Sequence, residues 1–343
     1  MYARRGYNLA PLLRAHRQLK ACQRKLNQLE KKQNPELTTQ IEQTRHAEKF
    51  KQNKLQALLR HMPNLPHPNT PTQNTVVFEQ PLPDLITKPH WELAEAVGID
   101  FATGIELHGK RGYVLRGGAA KMERKLANLA LDFYAAKGYE EVAVPYLIKP
   151  EMAEATGHLP KFAAEMYQVQ TGHYLIPTGE LPLANLHRNE RLDLKQPLKY
   201  MTHTPCFRLE KFGAGRDTRG LKRVHQFNKV ELFQFAKPED AETQHQQMVA
   251  DILEFLGQLQ LPCRVVDLCP EDFGFAAARA YDIEVWLPGQ QAWMEVATIT
   301  NCTDFQARRT KTRYAKGKYA HTLNGTGIAT GRVLLALLEN QGL

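Results

Sequence analysis

Between Leu9 and Lys32 leucine recurs at every seventh position, as Leu12, Leu19 and Leu26, and Ala15, Cys22 and Leu29 follow three residues behind. A stripe of that period predicts a helix lying against a second helix, because so narrow an apolar seam has nothing of its own to pack on. Asn34-Pro35 ends it, since proline cannot continue the hydrogen-bond ladder and restricts the residue before it. A second helical stretch, Glu36 to Met62, carries a looser stripe of Ile41, Ala47, Phe50, Leu55, Leu58 and Leu59. Together they predict an antiparallel hairpin with arms of roughly 35–40 Å at ~1.5 Å per residue.

Charge sharpens this reading. The 343 residues carry a net charge of +9, yet residues 1–62 alone hold fourteen Lys and Arg against four Glu. The remaining 281 residues are close to neutral, so the surplus belongs to the hairpin. Arg14, Arg17, Lys20, Arg24, Lys25, Lys31, Lys32, Lys49, Lys51 and Lys54 are expected in solvent, as an electrostatic footprint for a polyanion or as a solvated face. Five widely spaced cysteines without a C-x-x-C pair argue for a reducing, cytoplasmic setting and against a disulfide framework or structural zinc. No apolar run reaches the length of a membrane span, and Met1 to Arg5 is not followed by the apolar stretch of a signal peptide. The expectation is a chain with no membrane partner.

Residues 63–84, rich in Pro, Thr and Asn, read as a linker stiffened by proline. Helices are expected over Ala119 to Lys137, Asp240 to Leu256 and Gly327 to Leu338. Strands are expected over Glu140 to Val144, Val230 to Phe235, Cys263 to Leu268 and Tyr281 to Leu287. Strands and helices do not alternate regularly, so the class is α+β around a mostly antiparallel sheet. Neither a P-loop nor a Rossmann glycine signature is present.

Four segments carry chemistry. Arg208-Leu209-Glu210, a Gly-rich basic stretch to Arg223 and His225 to Glu231 read as strand, loop and strand. Arg208 and Arg223 there offer guanidinium forks for phosphate, and Phe227 a flat face for a base. Glu295 and Thr298 offer hard oxygens suited to Mg²⁺. Arg332, opening the last helix, sits awkwardly against the helix dipole unless it faces an anion. Thr178-Gly179-Glu180 is a turn presenting a hydroxyl and a carboxylate. Each is weak alone, since Arg–Glu pairs are often only surface ion pairs.

Their order and spacing, with Pro63-Asn-Leu-Pro-His-Pro68, His90-Trp-Glu-Leu93, Thr156-Gly-His-Leu-Pro-Lys-Phe162, Gly215-Arg-Asp-Thr-Arg-Gly-Leu221, Tyr281-Asp-Ile-Glu-Val-Trp286, Asp304-Phe-Gln-Ala-Arg-Arg309 and His321-Thr-Leu-Asn-Gly325, closely resemble bacterial-type seryl-tRNA synthetase, a class II aminoacyl-tRNA synthetase. The resemblance implies a helical tRNA-binding arm (1–62), a linker (63–84) and a class II catalytic domain (85–343). The implied activity is ATP-dependent activation of L-serine to seryl-adenylate and transfer to the 3′ end of tRNA(Ser), by a homodimer using Mg²⁺. Residue by residue it implies that Arg208 holds the α-phosphate, Glu210 meets the adenine amino group, Phe227 stacks on adenine, and Arg223 and Arg332 face phosphates. Leu209, Val296 and Ala297 complete the implied ATP contacts, and Glu295 and Thr298 are the implied metal ligands. For serine it implies the loop Thr178, Gly179 and Glu180, together with Arg208, Glu231 at the ammonium, and Asn324 and Thr326 near the hydroxyl. tRNA contacts are implied for the arm and for the loop before Leu221.

The chain departs from the family in a shorter hairpin, the lack of the first short helix and of a C-terminal extension, Gly179 in place of Ala, and Ala297-Thr298 in place of two serines. Two rivals follow: a paralogue charging a non-tRNA acceptor, disfavoured by the intact basic arm, and a catalytically silent RNA-binding relative, disfavoured by Arg208, Glu210, Glu231, Glu295 and Arg332.

Overall fold

The computed structural model describes residues 7–211 and 220–342. Most of the loop expected to touch tRNA, residues 212–219, lies outside them. The chain divides into two compact units, Met1–Leu65 and Pro66–Leu343.

In the first unit α1 (Ala10–Lys31) and α2 (Thr38–Arg60) are joined by a short 3-10 turn, Pro35–Leu37. The Asn34 side chain accepts from the Glu36 amide there, so the proline break is also a capped restart. Ala15, Leu19, Cys22, Leu26 and Leu29 are buried as the heptad requires. On α2 the buried side chains are Thr44 and Leu55. Phe50 is 70% exposed, against expectation. The α2 seam runs through 41, 44, 48, 51, 55 and 58, and Phe50 sits one residue, about 100°, off that line. The seam is partly polar, with Gln23 Nε2 donating to Glu48 Oε1 at 3.0 Å, and on the exposed surface beside it Arg45 pairs with Glu30 at 2.8 Å.

The second unit is built on eight strands: β1 (Thr75–Glu79), β2 (Glu140–Glu141), β3 (Leu198–Phe207), β4 (Gln226–Ala236), β5 (Cys263–Asp267), β6 (Arg279–Leu287), β7 (Ala292–Asn301) and β8 (His321–Ala329). Their order across the sheet is β1-β5-β6-β7-β8-β4-β3-β2, antiparallel except for β2 beside β3. Its helices in chain order are α3 (His90–Val97), α4 (Phe101–His108), α5 (Gly117–Ala136), α6 (Pro150–Thr156), α7 (Glu180–Asn185), α8 (Pro238–Gln258), α9 (Phe305–Thr310) and α10 (Thr330–Gln341). The sheet is thus mostly antiparallel with flanking helices, as expected. Within the stretch read as a linker, the apolar run Val76-Val77-Phe78 instead forms β1 and pairs with β5. Residues 327–329, expected to open the last helix, instead end β8.

One face of the sheet is covered by α5, α8 and α10. Leu126, Ala130 and Tyr134 of α5, Met248, Ile252 and Phe255 of α8 and Leu334 and Leu338 of α10 pack there on Val230, Leu232, Ile283 and Leu323. Alternation along β4 sends Phe233 and Phe235 to the opposite face, against α7 and α9.

Two β-bulges shape that opposite face. Ile283 pairs with Ala297 while Glu284 pairs with Glu295, so Val296 is an extra residue; likewise Gly327 is extra between Thr326 and Ile328. The Gly327 carbonyl accepts from the buried Tyr134 hydroxyl at 2.8 Å. Removing that hydroxyl takes a hydrogen bond from a buried carbonyl. Tyr134→Phe is therefore expected to cost about 1–3 kcal/mol, read as a lowered thermal midpoint.

Candidate active site

The sheet face away from α5, α8 and α10 carries the site because of strand parity. Phe227, Lys229 and Glu231 lie at every second position of β4 and share one side. Thr326 stands opposite Glu231, and Asn324 opposite Phe233, bringing the tip of β8 to the same side. The Val296 bulge does the rest. Glu295 and Thr298, one odd and one even, would face opposite sides of a regular strand, and the extra residue turns both toward the cleft.

These side chains line two adjoining hollows. One is bounded by Arg208, Glu210, Arg223, Phe227, Val296 and Arg332. The other, a cleft of about 580 Å³, is bounded by Thr178, Glu180, Glu231, Thr298 and Asn324, with Arg208, Glu210, Arg223, Lys229, Glu295 and Thr326 common to both. Three expected residues do not line either. Ala297 is buried in the helix-side core. Leu209 contributes its backbone, the amide donating to the Glu165 carbonyl at 3.0 Å. Gly179 sits behind the cleft, where a Cβ would stand 2.6 Å from Thr202 Cγ2 and 3.1 Å from Glu231 Cβ. Its φ is −64°, open to any residue, so the glycine answers a lack of space rather than a need for backbone freedom.

Opposite charges hold one another in place. Arg332 Nη1 donates to the Glu295 carbonyl at 2.9 Å and to Oε1 at 3.0 Å, which gives the helix-opening arginine its anion. Arg223 Nη1 donates to Glu210 Oε2 at 3.2 Å. Arg208 Nε donates to the Pro177 carbonyl at 3.1 Å, and its guanidinium lies 5.1 Å from the centre of the Phe227 ring. Burial disfavours charge on Glu295, yet Arg332, Arg208 and Arg223 together hold its carboxyl below the usual range. At the other end Thr178 Oγ1 donates to Glu231 Oε2 at 2.7 Å. Glu180 accepts from Gln306 Nε2 at 2.6 Å. Its carboxyl is pushed up to about 7, first by burial and then by the Glu231 charge.

Three residues of the site have no role in the sequence reading. Lys229 is buried with its ammonium against Glu231 and 2.7 Å from Thr178 Oγ1. Its position two residues from both Phe227 and Glu231 was the available signal. Asp282 accepts from Thr298 Oγ1 at 2.6 Å, and burial, then the Glu295 charge, raises its carboxyl to about 7. No spacing in the sequence links Asp282 to Thr298, because they meet only across β6 and β7. His158 is pushed down to about 3 by burial, with Arg208 and Lys229 adding to it, and is neutral at the cleft wall.

Glu295, Asp282 and Thr298 form a set of hard oxygens in which two carboxylates repel. No group of three or more His, Cys, Asp and Glu suited to a metal exists among the described residues. With two carboxylates and one hydroxyl, the donors present are of the kind taken by a cation that binds one or two carboxylates and completes its shell with phosphate oxygens and water, as Mg²⁺ does.

A sheet of this topology with one arginine just after β3, another on α10 and an acidic residue from β7 converging on one cleft defines a class II synthetase core. The family described as "tRNA synthetase class II core domain (G, H, P, S and T)" matches residues 164–341. Among curated relatives, a serine–tRNA ligase of Roseiflexus sp. is 46% identical over 300 residues, covering 83% of this chain and 71% of its own. One of Mesoplasma florum is 45% identical over 317 residues, covering 89% and 75%. The solved seryl-tRNA synthetase of Pyrococcus horikoshii complexed with ATP superposes with a TM-score of 0.90 at 32% identity, covering 96% of this chain and 87% of that one. The chain belongs to the seryl-tRNA synthetase family.

The Glu180 proton gives a direct test of the site's electrostatics. Its carboxyl titrates near 4.5 when unburied and near 7 in the fold, so the folded state binds the proton more tightly. The stability it confers is present below the lower value and is lost as pH rises through the higher. Glu180→Gln should thus gain in thermal midpoint relative to the parent between about pH 5 and about pH 8. A constant offset across that range would contradict the assignment.

Proposed function

We propose that this chain activates L-serine with ATP and transfers it to tRNA(Ser). The observation that carries this reading is the convergence of three arginines, Arg208, Arg223 and Arg332, beside a buried cluster of Glu231, Thr178 and Glu180. The first suits a polyphosphate and the second a small zwitterion with a hydroxyl. The superposable P. horikoshii enzyme is complexed with ATP, and that of Naegleria fowleri, a cytoplasmic serine–tRNA ligase, with AMP.

In the first step a serine carboxylate oxygen attacks the α-phosphorus of ATP. The bond to the bridging oxygen breaks, pyrophosphate leaves with the electron pair, and a mixed anhydride remains. In the second, the terminal ribose hydroxyl of the tRNA attacks the carbonyl carbon, AMP leaves, and the proton passes out with it. Two anions must meet in the first step, so the chain's contribution is alignment and fixed positive charge, with no side-chain nucleophile. Arg208 bridges the two hollows and suits both the α-phosphate and the serine carboxylate. Arg332 and Arg223, now paired with Glu295 and Glu210, exchange those carboxylates for phosphate oxygens. Phe227 offers adenine a face once Arg208 turns to phosphate. Glu231 accepts from the serine ammonium, and Asn324 and Thr326 suit its hydroxyl. A site built to hydrogen-bond a hydroxyl rejects the analogue lacking it by ~10⁴-fold, because its own buried polar groups are then left unpaired, so alanine is excluded without editing. Glu295 and Thr298, with Asp282 beside them, would hold Mg²⁺, which when bound supplies charge neutralisation and orientation to the phosphates.

Exposed apolar side chains support the homodimer. Val77 and Phe78 on edge strand β1 are 55% and 45% exposed, and Leu129 of α5 and Leu147 are also uncovered. An unpaired edge bearing apolar residues is what a second copy covers. No helix among the described residues is long and apolar enough to cross a membrane. The five cysteines form no disulfide, which suits a cytoplasmic protein. The tRNA ligand is assigned to the arm, where Arg14, Arg17, Lys20, Arg24 and Lys25 are exposed along α1. Such a surface suits the backbone of an RNA duplex rather than its bases.

Serine-dependent ATP–pyrophosphate exchange tests the activation half. Arg208→Ala and Arg332→Ala are each expected to lower it by ~10²–10³ or more with the fold intact, since each removes a preorganised charge. Near-parental exchange by either variant would remove that arginine from the mechanism. The transfer half is tested by deleting residues 1–65. Exchange should survive and aminoacylation of tRNA(Ser) should be largely lost, and the full chain's tRNA affinity should fall steeply with salt as neutralised phosphates release counterions.

A further inference from the structure

The segment that delivers Arg223 is gripped where it returns to the sheet. His90, the first residue of α3, is fully buried. Its Nε2 accepts from the Leu221 amide at 3.3 Å. Its Nδ1 donates to Glu339 Oε1 at 2.9 Å, which fixes the proton on Nδ1 and the lone pair toward Leu221. Glu339 is itself fully used. Oε1 accepts from the His90 amide at 2.9 Å and from Gln290 Nε2 at 2.7 Å, and Oε2 from the Gly289 amide at 3.0 Å. One buried carboxylate therefore caps α3, ties a turn and orients an imidazole.

The residue before Leu221 agrees with this geometry. Gly220 has φ +73°, and a Cβ there would stand 1.9 Å from His90 Nε2. The backbone has been brought onto the imidazole as closely as a residue without a side chain permits. Further along, Arg332 Nε donates to the Lys222 carbonyl at 3.3 Å and Arg111 Nη1 to the Arg223 carbonyl at 3.4 Å. Arg332 and Glu339 are seven residues apart on α10, two turns along one face, ~10.5 Å by helical rise. The two ends of a single helix thus hold consecutive residues, one directly and one through His90.

We infer that His90 is a positioning residue for ATP binding: it fixes the returning limb at Gly220 and Leu221, and through it the Arg223 guanidinium. The inference rests on the reading of Arg223 as a phosphate ligand. A purely structural histidine would serve only through Glu339, and two substitutions separate these roles. Asn reproduces the donor at Nδ1 and has no acceptor at the Nε2 position. Gln places its amide oxygen near Nε2, within reach of the Leu221 amide.

The test measures equilibrium binding of a non-hydrolysable ATP analogue to the full chain, and KM for ATP and for serine in pyrophosphate exchange. His90→Asn is expected to weaken analogue binding and raise KM for ATP by roughly ten- to a hundred-fold, the scale of a misplacement of ~1 Å, with KM for serine unchanged and the thermal midpoint lowered only as far as one unpaired buried amide requires. His90→Gln should recover most of the loss. Adding Arg223→Ala to His90→Asn should cost much less than Arg223→Ala alone, because the guanidinium is already displaced. The inference is overturned if His90→Asn binds the analogue like the parent, if His90→Gln is no better than His90→Asn, or if KM for serine rises together with KM for ATP. Absence of serine-dependent exchange in the parent would sink the functional reading alone, since analogue binding still decides His90. A parent that does not bind the analogue would overturn both.

Discussion

Alternation along β4 is the constraint on which the rest of this protein hangs. Val230 and Leu232 turn into the layer made by α5, α8 and α10, while Phe227, Lys229 and Glu231 turn the other way. The apolar set makes the register of β4 costly to change, because a slip of one residue would bury Lys229 and Glu231 against Leu and Phe side chains. The ionisable groups of the cleft are therefore fixed by hydrophobic packing on the far side of the same strand. Charge pairing then acts on a frame already set. Glu295 with Arg332, Glu210 with Arg223, and Glu231 with Lys229 keep a strongly charged hollow neutral in pairs, each holding its partner near the place where a substrate group of the same sign would lie.

How far the sequence disclosed this varies with the kind of information involved. Periodicity was enough for α1, where the seven-residue spacing of leucines translates directly into a buried seam, and it misplaced Phe50, because apolar character without phase does not say which side faces the partner helix. The Pro-rich stretch concealed β1, since three apolar residues among prolines are too short a run to declare a strand until β5 is there to pair with them. Gly327 to Ala329 looked helical for the opposite reason: they are continuous in apolar character with α10, and only the β8–β4 ladder draws them into the sheet.

In the site, the residues that motif order could nominate were those acting through their own side chains. Arg208, Glu210, Arg223, Phe227, Glu231, Glu295 and Arg332 do line the cleft. Lys229 apart, the residues left out act through contacts between distant segments. Asp282 reaches Thr298 across a ladder, and His90 reaches Leu221 and Glu339 over 131 and 249 positions of chain. Gly179 shows a third kind of limit. Read as a residue, it offers flexibility; read with Thr202 beside it, it offers room.

The two bulged residues carry a consequence for how such a chain can change over generations. Val296 and Gly327 contribute little side-chain chemistry of their own; the identity of Val296 is open to drift within what packing allows, whereas a Cβ at Gly327 would stand 2.8 Å from the buried Tyr134 ring. Their presence as units of length is another matter. Deleting one residue at 296 would leave β6 and β7 able to pair and the helix-backed core able to form, while rotating either Glu295 or Thr298 away from the cleft. A chain altered in that way would fold, pass any inspection of its hydrophobic pattern, and present half a site. Lineages of this architecture are thus expected to tolerate exchange of residue type at 296 far more readily than insertion or loss, and alignment gaps at either bulge would mark the places where the chemistry has been abandoned.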